Sequence, residues 1–173
     1  MPPIFPASTT QGGNTFAMPD DCLTPAPPAP PVPSPYPNTG MVNQAKKTAT
    51  KVKFAGKPVV TTKSEISRSI GDESGVNKGV MSGMNMGKVT YKKGSAKVKI
   101  QGQPCVHLTS MSGHNGMNAN MPAGAQVAPS QTKVIVSPST VACARRPLVR
   151  ISVKRDENID KAEELFLFEM RKL

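Results

Sequence analysis

The chain repeats one ten-residue pattern, KVKFAGKPVV at residues 51–60 and KVKIQGQPCV at residues 97–106. Six of the ten positions are identical, at an offset of 46 residues. In each copy apolar and basic residues alternate before a Gly-x-Pro turn, which is the period of a β-strand with one face in water. Each copy therefore predicts a β-hairpin.

A fainter third copy begins with KVIV at residues 133–136. Here Ser137-Pro138 replaces the glycine turn, and the strand is expected to resume at residues 140–143. Repeated hairpins that each bury little surface must stack on one another to form a core. We therefore predict a mainly β fold, a small conical or prism-like stack of short hairpins with pseudo-threefold repeats.

The composition favours the same fold class. The hydrophobic fraction is 37%, below the roughly 45–50% of ordinary globular domains. Aromatic residues make up 4% and tryptophan is absent, whereas the 18 prolines and 14 glycines favour turns and extended chain. A small or tapered β structure fits these numbers better than a helical bundle.

The N-terminal third is rich in proline. Residues 1–18 predict an irregular arm. Residues 19–38 carry too many prolines for a helix or a central strand, because proline fixes φ and lacks an N–H donor. We interpret them as an ordered, polyproline-like strap with Cys22 near one end and Tyr36 near the other. A disordered linker or a ligand for a proline-reading domain is the alternative.

The C-terminal part predicts a helix at 156–172. Asp156 can cap it, and acidic residues come early and basic residues late, which suits the helix dipole. The helix is expected either to pack on its own domain or to dock a partner. The predicted organisation is thus an arm at 1–18, a β cone with a proline-rich strap at 19–145 and an extension at 146–173.

The formal net charge is +11 and the sequence pI is about 9.8, which suggests an acidic partner, nucleic acid or an anionic membrane. The lysines are spread along predicted strands, however, where they also keep one face solvated. Stacking aromatics and helix-turn-helix or zinc-finger spacings are missing, so a nucleic-acid-binding protein is the weaker alternative.

The sequence holds no apolar run of about 18 residues, and prolines interrupt its first residues, so neither a transmembrane segment nor a signal peptide is predicted. The protein is expected in the cytoplasm. Three cysteines, an odd number in a reducing compartment, argue against a disulfide framework.

Four segments together resemble the PAAR-like proteins, relatives of the proline-alanine-alanine-arginine spike tips of type VI secretion and related contractile injection machines. They are PDDCLTP at 19–25 with PSPYPN at 33–38, SRSIGDESG at 67–75, GVMSG at 79–83, and GQP at 102–104 leading to His114, Asn115 and Asn118. The resemblance covers about residues 19–121.

The resemblance implies a structural protein, monomeric on its own, that caps a trimeric VgrG-like spike with one tip per trimer and sharpens it for membrane piercing. It would be cytoplasmic before firing and then be delivered out of the cell or into a target cell. An attached toxin effector is a further implied partner. The alternative is an effector-carrying adaptor whose tail docks a toxin.

The resemblance also implies one zinc ion, because related tips hold zinc near the point with cysteine and histidine ligands. Cys22 and His114 are the first candidates, followed by His107 and Cys143. Cys105 corresponds to Val59 of the first repeat and is more simply a small buried residue.

An enzyme is not predicted. Cys105 and His107 share a strand face, but a third orienting group and an oxyanion hole are not visible in the sequence. About 50 residues follow the recognised part, which is short for a separate catalytic domain.

Overall fold

The computed structural model describes residues 3–137. This part of the chain is mainly β, as predicted, and its helical structure is a single 3-10 turn at Val42–Gln44. The strands are β1 Phe5–Pro6, β2 Asn14–Ala26, β3 Ala29–Met41, β4 Ala45–Lys46, β5 Lys53–Phe54, β6 Lys57–Pro58, β7 Glu65–Ile66, β8 Ser69–Ile70, β9 Val89–Tyr91, β10 Lys99–Ile100, β11 Gln103–Pro104, β12 Met111–His114, β13 Met121–Gln126 and β14 Ile135–Val136. The predicted helix at 156–172 lies outside the described residues.

Eight strands form one antiparallel sheet in the order β4-β7-β9-β12-β13-β2-β3-β8. Its longest members are β2 and β3, each 13 residues, which pair as one hairpin. No helix among the described residues is long and apolar enough to span a membrane.

The proline tract pairs as a strand, which corrects the prediction that it runs as a polyproline-like chain. Ser34 on β3 lies opposite Cys22 on β2. Pro33, Pro35 and Pro37 alternate with residues that keep their N–H, and alternate N–H groups of an antiparallel strand point to opposite edges. The prolines therefore remove donors from one edge only, and β8 pairs with β3 beyond them.

The two repeat copies form the hairpins β5–β6 and β10–β11, as predicted. In the first, φ is 51° at Ala55 and 77° at Gly56, and in the second it is 50° at Gln101 and 78° at Gly102. Positive φ at both loop positions is typical of a type I′ turn, whose twist matches that of the paired strands. This turn explains the glycine shared by both copies.

The third copy pairs with a different part of the chain from the one predicted. β14 lies against β1, with Phe5 opposite Val136 and Pro6 opposite Ile135, whereas residues 140–143 lie outside the described part. The segment predicted as an irregular arm thus completes this hairpin and also begins β2. A strand needs a neighbour to satisfy its backbone groups, but that neighbour can come from the far end of the chain.

Three segments close a ring of backbone hydrogen bonds, called the strand ring below. They are residues 6–10, 58–62 and 104–108. Ser8 N donates to Val106 O at 2.8 Å, Val106 N donates to Val60 O at 3.1 Å, and Val60 N donates to Ser8 O at 2.9 Å. A second set of three bonds closes the ring in the opposite direction, from Thr10 N to Pro58 O, from Thr62 N to Pro104 O and from Leu108 N to Pro6 O. Each segment is thus bonded to both others.

Residues of the strand ring belong to two buried apolar clusters. Val59 and Val60 are successive on one strand and point to opposite faces, so they join different clusters. Val60 packs with Val42, Ile66, Val89, Tyr91 and Val106. The other group, called the hairpin cluster below, contains Ala7, Ala49, Val59, Cys105 and Val136, with half-buried Val52, Phe54, Val98, Ile100 and Val134 packed against it. Cys105 is buried here, as predicted.

Candidate functional site

A buried group of potential metal ligands lies where β2 meets the loop after β8. Asp20 and Cys22 are two apart on β2 and therefore point to the same face, and Asp72 approaches from the loop. One ligand atom from each residue lies within 4.8 Å of the others. All three residues are buried, and we call them the Asp-Cys-Asp cluster.

Asparagine side chains position Asp20 within this cluster. Asn38 Nδ2 donates to Asp20 Oδ2 at 2.6 Å, and Asn120 Nδ2 donates to Asp20 Oδ1. Asn120 Oδ1 also accepts the backbone N–H groups of Met81 and Ser82, at 2.7 and 3.1 Å. Asn120 thus ties the glycine-rich loop at 79–83 to β2.

His114 supports Asp20 through Asn38. Because Asn38 uses its amide N–H toward Asp20, its Oδ1 must accept the contact from His114 Nδ1 at 3.0 Å. The other ring nitrogen, Nε2, then accepts from Ser112 Oγ at 3.1 Å. Burial lowers the pKa of His114 to about 4, so this neutral form is the one that the site favours.

Cys22 and Asp72 resist ionisation. Burial, together with nearby Asp20 and Asp72, raises the pKa of Cys22 to about 12, although Asn115 Nδ2 donates to its Sγ at 3.6 Å. Burial also raises the pKa of Asp72. Its Oδ2 accepts from Met86 N at 2.8 Å, but its buried Oδ1 has no hydrogen-bond partner among the described residues.

The electrostatics of the cluster favour either protons or a cation. Two carboxyl groups and a thiol share a buried space, and the ion pairs in residues 3–137 join Glu65 to Lys47 and Lys88 instead. A buried negative charge is costly without a partner. Thiolate and carboxylate oxygen are both zinc ligands, so the donor set and the unpartnered Asp72 oxygen fit a divalent metal ion.

The predicted ligands occupy different places. Cys22 is in the cluster, and His114 belongs to the same hydrogen-bond network without entering the group of ligand atoms. His107 belongs to the strand ring itself, where its imidazole stacks on Phe5 with a centroid distance of 5.8 Å and its Nδ1 contacts Leu108 O at 2.6 Å. Cys143 lies outside the described residues.

Asp20 and Asp72 are not among the ligands predicted from the sequence. Asp20 could have been predicted, because it lies two residues before Cys22 and therefore on the same face of a strand. Asp72 sits in the loop at 70–75, and its approach to β2 depends on the tertiary fold.

Gly75 allows this loop to lie against β2. A Cβ on residue 75 would overlap with Cys22 Cβ. We therefore expect Gly75→Ala to lower the free energy of unfolding by about 1–3 kcal/mol, measured by urea denaturation. Gly12→Ala is the control, because a Cβ there meets nothing within 4 Å. Equal effects of the two substitutions would contradict the role given to Gly75.

Comparison with known proteins gives one family and one relative. The family described as "Toxin PAAR-like domain" matches residues 13–122, which include the whole Asp-Cys-Asp cluster. The protein named DNase toxin Tse7, from Pseudomonas aeruginosa, is 36% identical over 124 residues. These are 68% of this chain but 32% of the relative, so the match spans about a third of that protein's length.

No solved structure matches the chain. The family match covers the whole region that carried the resemblance in the sequence, and it confirms that resemblance. The chain belongs to the Toxin PAAR-like domain family.

Proposed function

We propose that the chain is a structural tip that caps the trimeric spike, a VgrG-like protein, of a type VI secretion or related contractile injection machine. The observation that carries this proposal is the strand ring, in which three segments of a single chain bond to one another in cyclic order. A monomer with three similar sides can sit on the axis of a trimer and meet each subunit in the same way.

The proposed geometry is pseudo-threefold. The hairpins β5–β6 and β10–β11 and the pair β14–β1 each lead into one segment of the strand ring, and Pro58, Pro104 and Pro6 occupy corresponding places in them. The end of a trimeric β spike leaves strand edges and apolar side chains exposed, which invites aggregation. A cap with three such strand pairs would cover them and taper the spike for membrane piercing.

We propose that this chain is not itself catalytic. The DNase in the name of the matched relative belongs to a protein of which the match covers 32%. That relative favours one further role, in which the tip carries a toxin, either joined to it or docked on the region around the predicted helix at 156–172. The protein would start in the cytoplasm and leave it with the fired spike.

We further propose that the Asp-Cys-Asp cluster holds one zinc ion, with Asp20, Cys22 and Asp72 as ligands. A bound metal ion would crosslink β2 to the loop after β8 and compensate the buried negative charge. The asparagines and His114 would orient Asp20 from outside the ligand set.

Metal analysis tests the zinc site. Protein purified without a histidine tag should contain close to one zinc per chain, and Cys22→Ala should lose it. Cys105→Ala removes the other described buried cysteine, which lies in the hairpin cluster, and should keep the metal. A zinc-free wild type, or equal loss from both variants, would contradict the site.

Stoichiometry tests the tip function. The full-length chain mixed with a VgrG-like trimer from the same genome should form a complex of one chain per trimer in native mass spectrometry. Absence of a complex, or three chains per trimer, would contradict the proposal. The same mixture with plasmid DNA and a divalent metal should leave the DNA intact if this chain is not a nuclease.

A further inference from the structure

Six exposed lysines lie on or beside the three strand pairs that lead into the strand ring. They are Lys51, Lys53 and Lys57 at the hairpin β5–β6, Lys97 and Lys99 at the hairpin β10–β11, and Lys133 just before β14, which pairs with β1. We call them the basic hairpin surface. Corresponding places in the repeat are occupied by Lys51, Lys97 and Lys133, so the charge is distributed over all three sides.

The lysines alternate with the apolar residues of the hairpin cluster. Val52 and Phe54 alternate with Lys51 and Lys53, and Val98 and Ile100 alternate in the same way with the lysines of the second hairpin. Because successive strand residues point to opposite faces, the lysines stand outside an apolar centre. These apolar residues are only half-buried. The surface therefore combines an incompletely covered apolar centre with a basic rim.

No carboxylate among the described residues neutralises this rim. Residues 3–137 contain 14 basic and five acidic residues. Asp20 and Asp72 are buried in the cluster, Asp21 and Glu73 neighbour them in sequence, and Glu65 pairs with Lys47 and Lys88. Residues 138–173 carry eight basic and six acidic residues, so their net charge is positive as well. The ion pairs of residues 3–137 thus leave the rim without a complementary charge, which a partner can supply.

We propose that the basic hairpin surface docks on a spike end that presents carboxylate side chains around an apolar centre. This inference rests on the proposed tip function and adds the chemistry of the partner. An acidic protein fits better than nucleic acid, because the lysines surround half-buried aliphatic side chains and the described surface offers few aromatic rings for stacking on bases. A spike end that presents basic side chains would be repelled by these lysines. The basic hairpin surface would therefore also distinguish acidic spike ends from basic ones.

Charge reversal in the full-length chain tests the proposal. Lys53→Glu with Lys99→Glu changes corresponding places in two hairpins. Arg68→Glu with Lys78→Glu is the matched control, since both residues are exposed, lie outside the hairpins and give the same change in net charge. Affinity for a VgrG-like trimer from the same genome is measured by biolayer interferometry at low and high salt, after circular dichroism has shown that both variants fold.

We expect the hairpin variant to bind about tenfold or more weakly and the control to stay within about threefold of the wild type. Wild-type affinity should fall as salt rises, because exposed charges are screened. If the trimer binds wild type and both variants equally, the acidic partner surface is wrong while the tip function stands. If the wild type does not bind the trimer, the tip function itself fails.

Two other results would also overturn the proposal. Tighter binding by the hairpin variant would mean that the acidic residues at 156–169 of the chain itself cover the surface. Displacement of the spike by random duplex DNA at physiological salt would identify nucleic acid as the occupant.

Discussion

Ile66→Ala should lower the free energy of unfolding by about 2–5 kcal/mol, a large part of the stability of a small domain. Ile66 is fully buried and packs with Val60 and Val106, two of the three residues that close the strand ring. The substitution removes three methyl or methylene groups and leaves a cavity under the ring. Urea denaturation followed by circular dichroism measures the loss.

Ile70→Ala is the control for this prediction. It removes the same atoms from β8, the next strand along the chain, but Ile70 is 37% exposed. Its cost should stay below about 1 kcal/mol, because an exposed site leaves no cavity. Similar losses in both variants would contradict the claim that the cluster under the ring carries the stability.

His114 should make the protein less stable as the pH falls from 6.5 toward 4. The pKa of His114 is lowered from 6.5 to about 4 by burial. Between these pH values the imidazole of His114 binds a proton in the unfolded chain but not in the folded chain, so the free energy of unfolding decreases. The loss reaches about 3 kcal/mol at the lower end. The raised pKa of Asp72 acts in the opposite direction, so the effect of His114 must be isolated.

The comparison with His114→Gln isolates it. Glutamine keeps hydrogen-bonding groups but does not titrate, whereas Asp72 titrates in both proteins. Unfolding free energies at several pH values from 8 to 4 should show a difference between wild type and variant that is constant above pH 7. Below pH 7 the unfolding free energy of the wild type should fall relative to that of the variant. A difference that stays constant throughout would contradict the buried neutral imidazole.

The hairpins could be predicted because their signals are local. Alternation of Lys with Val, Phe or Ile and the turn glycine lie within ten residues of each other, and the same pattern recurs 46 residues later. The pairing of β1 with β14 has no such signal, because each strand has two residues and they lie at opposite ends of the described chain. The available signal was the match of PASTT at 6–10 to PVVTT at 58–62.

The β3 strand shows a different kind of error. A proline removes an N–H donor from one edge of a strand and leaves the other edge unaffected. Because the prolines at 33, 35 and 37 occupy every second position, they affect one edge only, and β2 pairs along the other. The spacing of these three prolines therefore leaves the other edge of residues 33–37 free to pair with β2.

Half of the candidate site was visible in the sequence. Cys22 and His114 were predicted because they occupy places where the resemblance to PAAR-like spike tips implies metal ligands, and thiols and imidazoles are common in metal sites. Asp20 and Asp72 did not, because aspartate is usually exposed and its burial here depends on Asn38, Asn120 and the loop held by Gly75. Those contacts join segments up to 100 residues apart, which no local pattern records.

The most direct test of the central claim is a cryo-electron microscopy reconstruction of the full-length chain bound to its spike trimer. We expect one chain per trimer, with the strand ring on the trimer axis and the hairpin cluster facing the spike. A chain bound off the axis, or with the hairpin cluster turned away from the spike, would contradict it.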